Sequence, residues 1–408
     1  MPGRTATTLM LGVAQTLAWA SSYYIPAVLA GPMGAEFNVS PSTIFGAFSV
    51  ALLVSAATGP WAGRAIDRFG GRPVLVASNL VFAAGLAGLA LSSQVLHVFA
   101  AWVLLGVGMG SGLYEAAFAT AVRLHGRDAR GVITGITLLG GLASTVGWPL
   151  SALLAEIAGW RGACLAWAGL HLVLGLPLNA LLPPPPSAHA IQAEDGKAEQ
   201  GRAAALSAAE QRRAAWIMAY VFAVSWFVST AMAAHLPRLL VAGGATLALA
   251  VSIAALVGPA QVAGRLIEFS LLRRAHPLLS ARLATLAHPL GALCLGLFGM
   301  QAATAFAVLH GLGNGILTIA IGTLPLLVFG PQGYGQRQGL LMVPARIVQA
   351  GAPFLFGLAL EHWGAGALWL STGLALSACA ALLAMKLPQA RQGRPTDPAP
   401  VEDAAGSR

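Results

Sequence analysis

Long apolar stretches follow one another along this chain, and short polar segments separate them. Most of the apolar stretches reach the roughly 20 residues that a helix needs to cross a bilayer. The pattern therefore predicts an all-α membrane protein with twelve transmembrane helices. Their approximate bounds are 7–30, 42–62, 73–93, 97–122, 132–155, 162–182, 215–236, 246–264, 282–299, 302–329, 339–360 and 365–386.

Composition agrees with a chain that lies in a lipid bilayer. Hydrophobic residues make up 57% of the 408 residues and charged residues only 9%, whereas soluble domains carry about 25% charged residues. The net charge of +9 would suggest a nucleic-acid partner in a soluble protein, but here the charges lie in loops, and we expect no such partner. Cys164, Cys294 and Cys379 all fall in apolar segments, which excludes a disulfide framework and a C-x-x-C metal site. The first apolar run is too long for a cleavable signal peptide.

The distribution of cations predicts the orientation. If the N-terminus is cytoplasmic, all but three of the 23 Lys and Arg residues lie on the cytoplasmic side, in loops, tails or helix ends. The exceptions are Arg161 and Arg238 on the outer side and Arg346 inside a span. Because cytoplasmic loops carry an excess of Lys and Arg, we expect both termini in the cytoplasm. The predicted location is a bacterial inner membrane, crossed many times.

One long polar connection divides the chain. Residues 183–213 begin with four prolines and continue with Ala, Gln, Glu and Gly, a composition that cannot build a core. We expect an N-terminal six-helix half over 1–182, a cytoplasmic linker over 183–213, and a C-terminal six-helix half over 214–386. The Pro-rich residues 387–408 are predicted to be a disordered cytoplasmic tail.

The two predicted halves repeat one another. Three features of the first half recur in the second at nearly the same separation, which indicates a duplicated unit and two pseudo-symmetric six-helix halves. The glycine triplets among them have no preceding strand, so they indicate close helix packing rather than a nucleotide loop. The recurring features are Gly63–Phe69 with Gly264–Phe269, the triplet Gly106, Gly108 and Gly110 with Gly311, Gly313 and Gly315, and Pro149 with Pro353.

The loop Gly63–Arg72 concentrates four charges between two apolar spans. Its glycines allow a tight turn, and Asp67 can accept hydrogen bonds from the N-terminus of a helix. The loop resembles the signature G-x-x-x-D-R-x-G-R-R of the major facilitator superfamily, with Gly71 in place of one basic residue. The resemblance covers residues 7–386 and implies two halves that rock around a central substrate site. It also implies coupling or gating roles for Asp67 and Arg68. Asp67 is expected to anchor the loop at the N-terminus of the eleventh helix.

Two ionisable residues lie well inside predicted spans. Glu115 is about 12 Å from the cytoplasmic end of the fourth helix, and Arg346 is about 13 Å into the eleventh, at 1.5 Å per residue. Because charges in hydrocarbon are costly, each is expected to face a partner or a cavity. We predict that Glu115 and Arg346 pair and close the cytoplasmic side, either as a coupling site that protonation opens or as a structural ion pair.

Several polar and aromatic residues fall on the helices that line the central cavity in proteins with this resemblance. As a group they suit a small, weakly polar or neutral substrate, although helix packing remains an alternative role for each. They form no catalytic triad, metal cluster or ATP site, so the sequence predicts no enzyme, no cofactor and no metal. The candidate cavity residues are Tyr23, Tyr24, Tyr114, His235, Gln261, His310 and Asn314.

Two short stretches of the sequence indicate one branch of the family. Gln15–Tyr24 and Gly147-Trp148-Pro149 resemble bacterial drug- and arsenical-efflux members, although Ala101-Trp102-Val103 lacks the arginine often linked to proton coupling. The resemblance implies a monomer that exports a small molecule, for instance a neutral trivalent arsenical, in exchange for protons. Uptake of an organic anion or vitamin held by Arg346, and a sensor without transport, remain alternatives.

Overall fold

The computed structural model describes residues 3–184, 207–272 and 276–385. Within these ranges every regular element is helical, and the helices form twelve spans, as predicted. In chain order the spans are Arg4–Ser21 with Pro26–Glu36, Pro41–Phe69, Gly71–Ala90, Val95–Gly112 with Tyr114–His125, Ala129–Gly140 with the part of Ala143–Leu170 before Gly159, the rest of Ala143–Leu170 continuing through His171–Gly175 to Leu176–Ala180, Ala208–Ala242, Leu247–Ala255 with Val257–Ser270, Pro277–Phe298, Ala303–Phe329, Tyr334–Trp363, and Ala367–Leu383.

Several spans run into one another through very short turns. Seven helical stretches of the described chain are long and apolar enough to cross a membrane, and the longest of them covers 86 residues. That stretch turns twice, at the 3-10 helix Gly126–Asp128 and at Gly159, whose φ of 69° breaks the α-helix. Such turns need few polar residues, which is why one apolar stretch can hold the fourth, fifth and sixth spans.

The seventh span begins inside the predicted linker. Ser207 Oγ accepts the Glu210 N–H, and the Glu210 carboxylate accepts the Ser207 N–H, so the two residues form a capping box that fixes the first turn. The rest of the predicted linker, from 185 to 206, and the predicted tail lie outside the described residues.

Each half has its own hydrophobic core. One cluster of buried side chains extends from Leu11 to Leu182 and takes in Leu326 and Tyr334 from the second half. The other extends from Ala214 to Met385. Two separate cores allow each half to move as a unit relative to the other.

The glycine triplets pack equivalently in the two halves. Gly106 and Gly110 lie against the second span, at Ala51 and Ser55, and Gly311 and Gly315 lie against the eighth, at Val257 and Gln261. A Cβ on any of these glycines would overlap the neighbouring helix. The interpretation of these glycines as helix contacts is thus confirmed.

Side chains satisfy backbone groups that prolines release. Pro325 has no N–H to donate to the Ile321 carbonyl, and Gln338 Nε2 donates to that oxygen at 3.2 Å. The Tyr334 hydroxyl donates to the neighbouring Gly322 carbonyl at 2.7 Å. These bonds tie the eleventh span to the kinked end of the tenth.

The halves meet most closely where the second span crosses the eleventh. The backbones of Gly63 and Gly335 abut, and Gly339 lies against Gly59 and Pro60, so that a Cβ at Gly63, Gly335 or Gly339 would overlap the facing backbone. These contacts lie on the side that carries the loop Gly63–Arg72, which we call the motif face. The motif face is closed in this structure.

Candidate substrate and coupling site

An ion pair joins the two halves in the middle of the protein. Arg346 Nη2 donates to Glu115 Oε1 at 2.8 Å, and only 5% of the arginine side chain and 14% of the glutamate side chain are exposed. The predicted contact between these residues is therefore present. Each charge of such a buried pair depends on the other, because removal of either one leaves an uncompensated buried charge.

A break in the fourth span presents Glu115 to the interface. The helix is interrupted at Leu113, and Glu115 lies in the first turn of the next helix, Tyr114–His125. The Ala116 N–H donates to the Leu113 carbonyl, so the Gly112 carbonyl loses its usual helical donor. Gln15 Nε2 takes that place at 2.7 Å, from the first span. The buried Gln15 thus stabilises the break that orients Glu115.

Two stacked indole rings lie beside the Arg346 guanidinium group. Its central carbon lies 5.0 Å from the Trp226 ring centroid and 5.9 Å from that of Trp19. The two indoles are almost parallel, with 2° between their planes and 6.1 Å between centroids. Their aromatic faces favour a cation, and exclude water from it. One tryptophan comes from each half.

Hydrogen bonds extend from Arg346 to the first span. Arg346 Nη1 donates to Gln349 Oε1 at 2.9 Å, and Gln349 Nε2 donates to the Tyr23 hydroxyl oxygen at 3.0 Å. The chain from Glu115 through Arg346 and Gln349 to Tyr23 therefore crosses the interface twice. We call Glu115, Arg346, Gln349, Tyr23, Trp19 and Trp226 the central cluster.

The central cluster is rich in donors that have no acceptor. The indole Nε1 atoms of Trp19 and Trp226 are both buried and find no hydrogen-bond partner in the described structure. The Tyr23 oxygen already accepts a bond, which leaves its hydroxyl hydrogen available. Buried donors are normally satisfied, so this combination with a guanidinium favours a ligand that carries acceptor oxygens.

Further aromatic side chains surround Trp19. Tyr114 lies 4.9 Å and Tyr24 6.5 Å from its ring, centroid to centroid. Tyr24 in turn meets Trp148 edge to face at 5.6 Å. Three of the seven predicted cavity residues, Tyr23, Tyr24 and Tyr114, therefore converge next to Arg346.

Asp67 bridges the two halves at the motif face. Its two carboxylate oxygens accept the N–H groups of Gly335 at 2.9 Å and Gln336 at 2.8 Å, in the first turn of the eleventh span. The predicted anchoring of this loop on the eleventh helix is present. Arg68, by contrast, is exposed and lies over the Phe69 ring, so the structure gives it no contact between the halves.

The duplicated motif makes a second contact of the same kind. Glu268, which corresponds to Asp67, is buried and accepts a bond from Arg130 Nη2 at 3.2 Å, at the start of the fifth span. The fifth span corresponds to the eleventh in the repeat. Each copy of the motif therefore reaches across to the opposite half.

The other predicted cavity residues lie elsewhere. His235 Nε2 contacts the Pro353 carbonyl oxygen at 2.7 Å, and the Gln261 backbone packs against Gly315. His310 and Asn314 share one face of the tenth span, as expected, but they line a separate cavity inside the C-terminal half. The structure thus places these four residues at three separate sites, apart from the three tyrosines.

Sequence reasoning missed four residues of these sites: Gln15, Trp19, Gln349 and His288. Each is an isolated polar or aromatic residue in an apolar run, and each obtains its role from a partner on another span. Trp226 lies on the seventh span, and the sequence gives no link between it and Arg346. A signal existed for Gln349, which is one helical turn after Arg346 and so shares its face.

The fold is that of a membrane transporter built from two six-helix halves. A family model described as Major Facilitator Superfamily matches residues 11–305. The chain belongs to the Major Facilitator Superfamily.

Relatives fall into two groups by coverage. An uncharacterized 38 kDa protein in the 23S RNA operon of Thermoproteus tenax is 30% identical over 352 residues, which cover 85% of each chain. Monocarboxylate transporter 3 of Rattus norvegicus is 30% identical over 154 residues, which cover 37% of this chain and 31% of the relative. The oxalate:formate antiporter of Oxalobacter formigenes is 29% identical over 154 residues, covering 38% and 36%.

Solved structures share the fold over nearly the whole chain. The proton:xylose symporter XylE bound to 6-bromo-6-deoxy-D-glucose superposes with a TM-score of 0.72 at 14% identity, covering 93% of this chain and 95% of the symporter. The human organic anion transporter MFSD10 gives a TM-score of 0.70 at 17% identity, covering 94% and 100%.

Proposed function

We propose that this protein is a secondary transporter of a small organic carboxylate, with Arg346 as the binding residue. One observation carries the proposal: a buried guanidinium lies beside two indoles whose N–H groups have no acceptor in the described structure. A planar guanidinium can bind a carboxylate through two parallel hydrogen bonds. The names of the monocarboxylate and oxalate:formate relatives are consistent with this substrate class.

Glu115 occupies the position that such a substrate would take. Its carboxylate accepts the Arg346 Nη2–H that a bound anion needs. A substrate anion and an ionised Glu115 compete for one guanidinium, whereas a protonated Glu115 no longer competes electrostatically. Anion binding is therefore coupled to uptake of a proton by Glu115, and the two move together.

Coupling of this kind does not fix the direction of transport. The same cycle imports the anion when protons flow inward and exports it when the anion gradient dominates. Export by this cycle carries a proton outward with the anion, which differs from the export in exchange for protons that the sequence resemblance implies. We propose that the motif face is cytoplasmic, on the distribution of Lys and Arg, in a bacterial inner membrane.

A neutral trivalent arsenical fits the central cluster less well. Such a molecule has no charge for Arg346 to bind, so it gives no reason for a buried guanidinium. Cys164 and Cys379 are buried in the sixth and twelfth spans, away from the central cluster. The named relatives also give this substrate no support, and we do not propose it further.

Transport by the purified protein tests the proposal. Proteoliposomes with an inward proton gradient should take up one or more labelled small mono- or dicarboxylates in a saturable manner. Arg346→Lys should raise KM about tenfold or more, because an ammonium cannot bind a carboxylate through two planar donors. Arg346→Gln should abolish uptake.

Two further variants separate a lost binding site from a damaged fold. Arg346→Gln strands the Glu115 carboxylate, so Arg346→Gln combined with Glu115→Gln should restore stability but not uptake. Arg282→Gln removes another embedded arginine, one that donates to the Leu382 carbonyl, and should preserve uptake. Saturable carboxylate uptake by the folded double variant would contradict the proposal.

A further inference from the structure

A cavity lies inside the C-terminal half, apart from the central cluster. Its volume is about 30 Å³, and it lies between the seventh, ninth, tenth and twelfth spans. Its polar lining includes His288, His310, Asn314, Thr285 and Ser229. A cavity with several polar groups on its wall can hold water. Nothing in the transport cycle described above uses it.

A directed chain of hydrogen bonds ends at this cavity. The Ser371 hydroxyl lies 2.8 Å from the Leu368 carbonyl oxygen and 3.1 Å from His288 Nε2. When the hydroxyl donates to the carbonyl, its oxygen accepts the hydrogen of His288 Nε2. A neutral histidine carries one N–H. Neutral His288 therefore has its hydrogen on Nε2 and a lone pair on Nδ1.

The tautomer of His310 follows from that of His288. The two Nδ1 atoms are 3.1 Å apart, and since His288 Nδ1 is an acceptor, His310 Nδ1 must be the donor. His310 Nε2 then keeps a lone pair. This nitrogen has no hydrogen bond within the described residues, although His310 is only 4% exposed. The network thus leaves one basic nitrogen unused in the only histidine pair of the described chain.

No charged group competes at this nitrogen. Among the titratable and charged side chains on the spans that pack around the tenth, His288 is the one that contacts His310. The others have partners or positions elsewhere: Glu115 with Arg346, Glu268 with Arg130, His235 at Pro353, Arg282 at Leu382, and Cys294 and Cys379 as free thiols.

We propose that His310 Nε2 is a proton-binding site of this transporter, separate from the Glu115–Arg346 pair. A hydronium ion in the cavity donates its proton to the Nε2 lone pair and becomes a neutral water molecule. The resulting imidazolium keeps its Nδ1–H bond to His288 and gains an Nε2–H for the cavity, where Asn314 supplies polar atoms. This site does not depend on the identity of the substrate proposed above.

His171 provides a matched contrast. It is also a fully buried histidine in a span, but both of its nitrogens are engaged, Nε2 with Ser21 Oγ at 2.7 Å and Nδ1 with Asn79 Oδ1 at 2.8 Å. No lone pair of His171 faces a cavity. The inference therefore applies to His310 and not to buried histidines of this protein in general.

Nitrogen-15 NMR of the histidine-labelled protein in bilayers tests the proposal. A cross-peak between two Nδ1 nuclei identifies the His288–His310 pair without any substitution, and His310→Gln should remove it. At about pH 8 we expect His310 in the Nδ1–H form and His288 in the Nε2–H form. Between about pH 8 and pH 4 the bare Nε2 signal of His310 should begin to convert to a protonated one, while the His171 signals keep a single state.

Ser371→Ala tests the origin of the arrangement. Without the hydroxyl, nothing holds the hydrogen on His288 Nε2, so His310 should populate both tautomers. Three results would each overturn the proposal: an Nε2–H tautomer of neutral His310, a His310 signal that does not change over this pH range, or an unchanged His310 tautomer in Ser371→Ala. His171→Gln should leave the His310 titration as in the wild type.

Discussion

Gln15 and Gly112 are joined by a hydrogen bond of 2.7 Å between the first and fourth spans, and this bond accompanies the helix break that orients Glu115. The amide of Gln15 replaces the backbone donor that the break removes from Gly112. The position of the Glu115 carboxylate is thus linked to a side chain that is not hydrogen-bonded to it.

Gln15→Leu tests this dependence. The substitution leaves the Gly112 carbonyl buried without a donor, at a cost of about 1–3 kcal/mol, so the melting temperature should fall. The pH profile of uptake should also shift, because Glu115 is no longer held in one position. Gln261→Leu is the matched control, since its side chain makes no hydrogen bond in the described structure. A lower melting temperature with an unchanged pH profile would mean that Gln15 only stabilises the fold.

Asp67→Asn should keep the protein in the membrane but slow transport. The substitution removes the charge at the helix N-terminus and one of the two hydrogen bonds to Gly335 and Gln336. These effects are worth about 1–2 kcal/mol, enough to shift a balanced conformational equilibrium about tenfold. Uptake at equal expression should drop to a similar degree. Asp128→Asn, at an exposed pair with Arg4, should have little effect.

Gly63→Ala should open the motif face. The added methyl group would overlap the Gly335 carbonyl, so the second and eleventh spans must separate. A cysteine at Ile133, which packs against Gly322 across the interface, reports the opening. In a background without the native cysteines, its labelling by a water-soluble maleimide should rise several-fold. Gly131→Ala, where a Cβ meets nothing, should leave labelling unchanged; equal labelling in both variants would show that the glycine contact does not control closure.

The spans and the buried pair could be predicted because strong physical costs act on them. Apolar length reports a membrane helix directly. Glu115 and Arg346 could be matched because an unpaired charge in hydrocarbon is expensive and their depths agreed. Asp67 could be assigned to the eleventh helix through a motif whose chemistry suits a helix N-terminus.

The breaks in the spans and the histidine network could not be predicted in this way. The interruptions at Ser22–Ile25 and at Leu113 lie within stretches long enough to be continuous spans, and the serines beside them also occur inside unbroken helices. His288 and Ser371 come from the ninth and twelfth spans, and their contact with His310 follows from helix packing. Local pattern contains no information on which faces of distant helices meet.

The central claim is that an anion and a proton share the Glu115–Arg346 pair, and the most direct test is transport by Glu115→Gln in proteoliposomes. Without the ionisable group, Arg346 remains free for the anion, so exchange of labelled for unlabelled carboxylate should persist within about threefold of the wild type, less than 1 kcal/mol. Accumulation driven by a pH gradient should be lost. Accumulation against a concentration gradient with the pH dependence of the wild type would contradict the account.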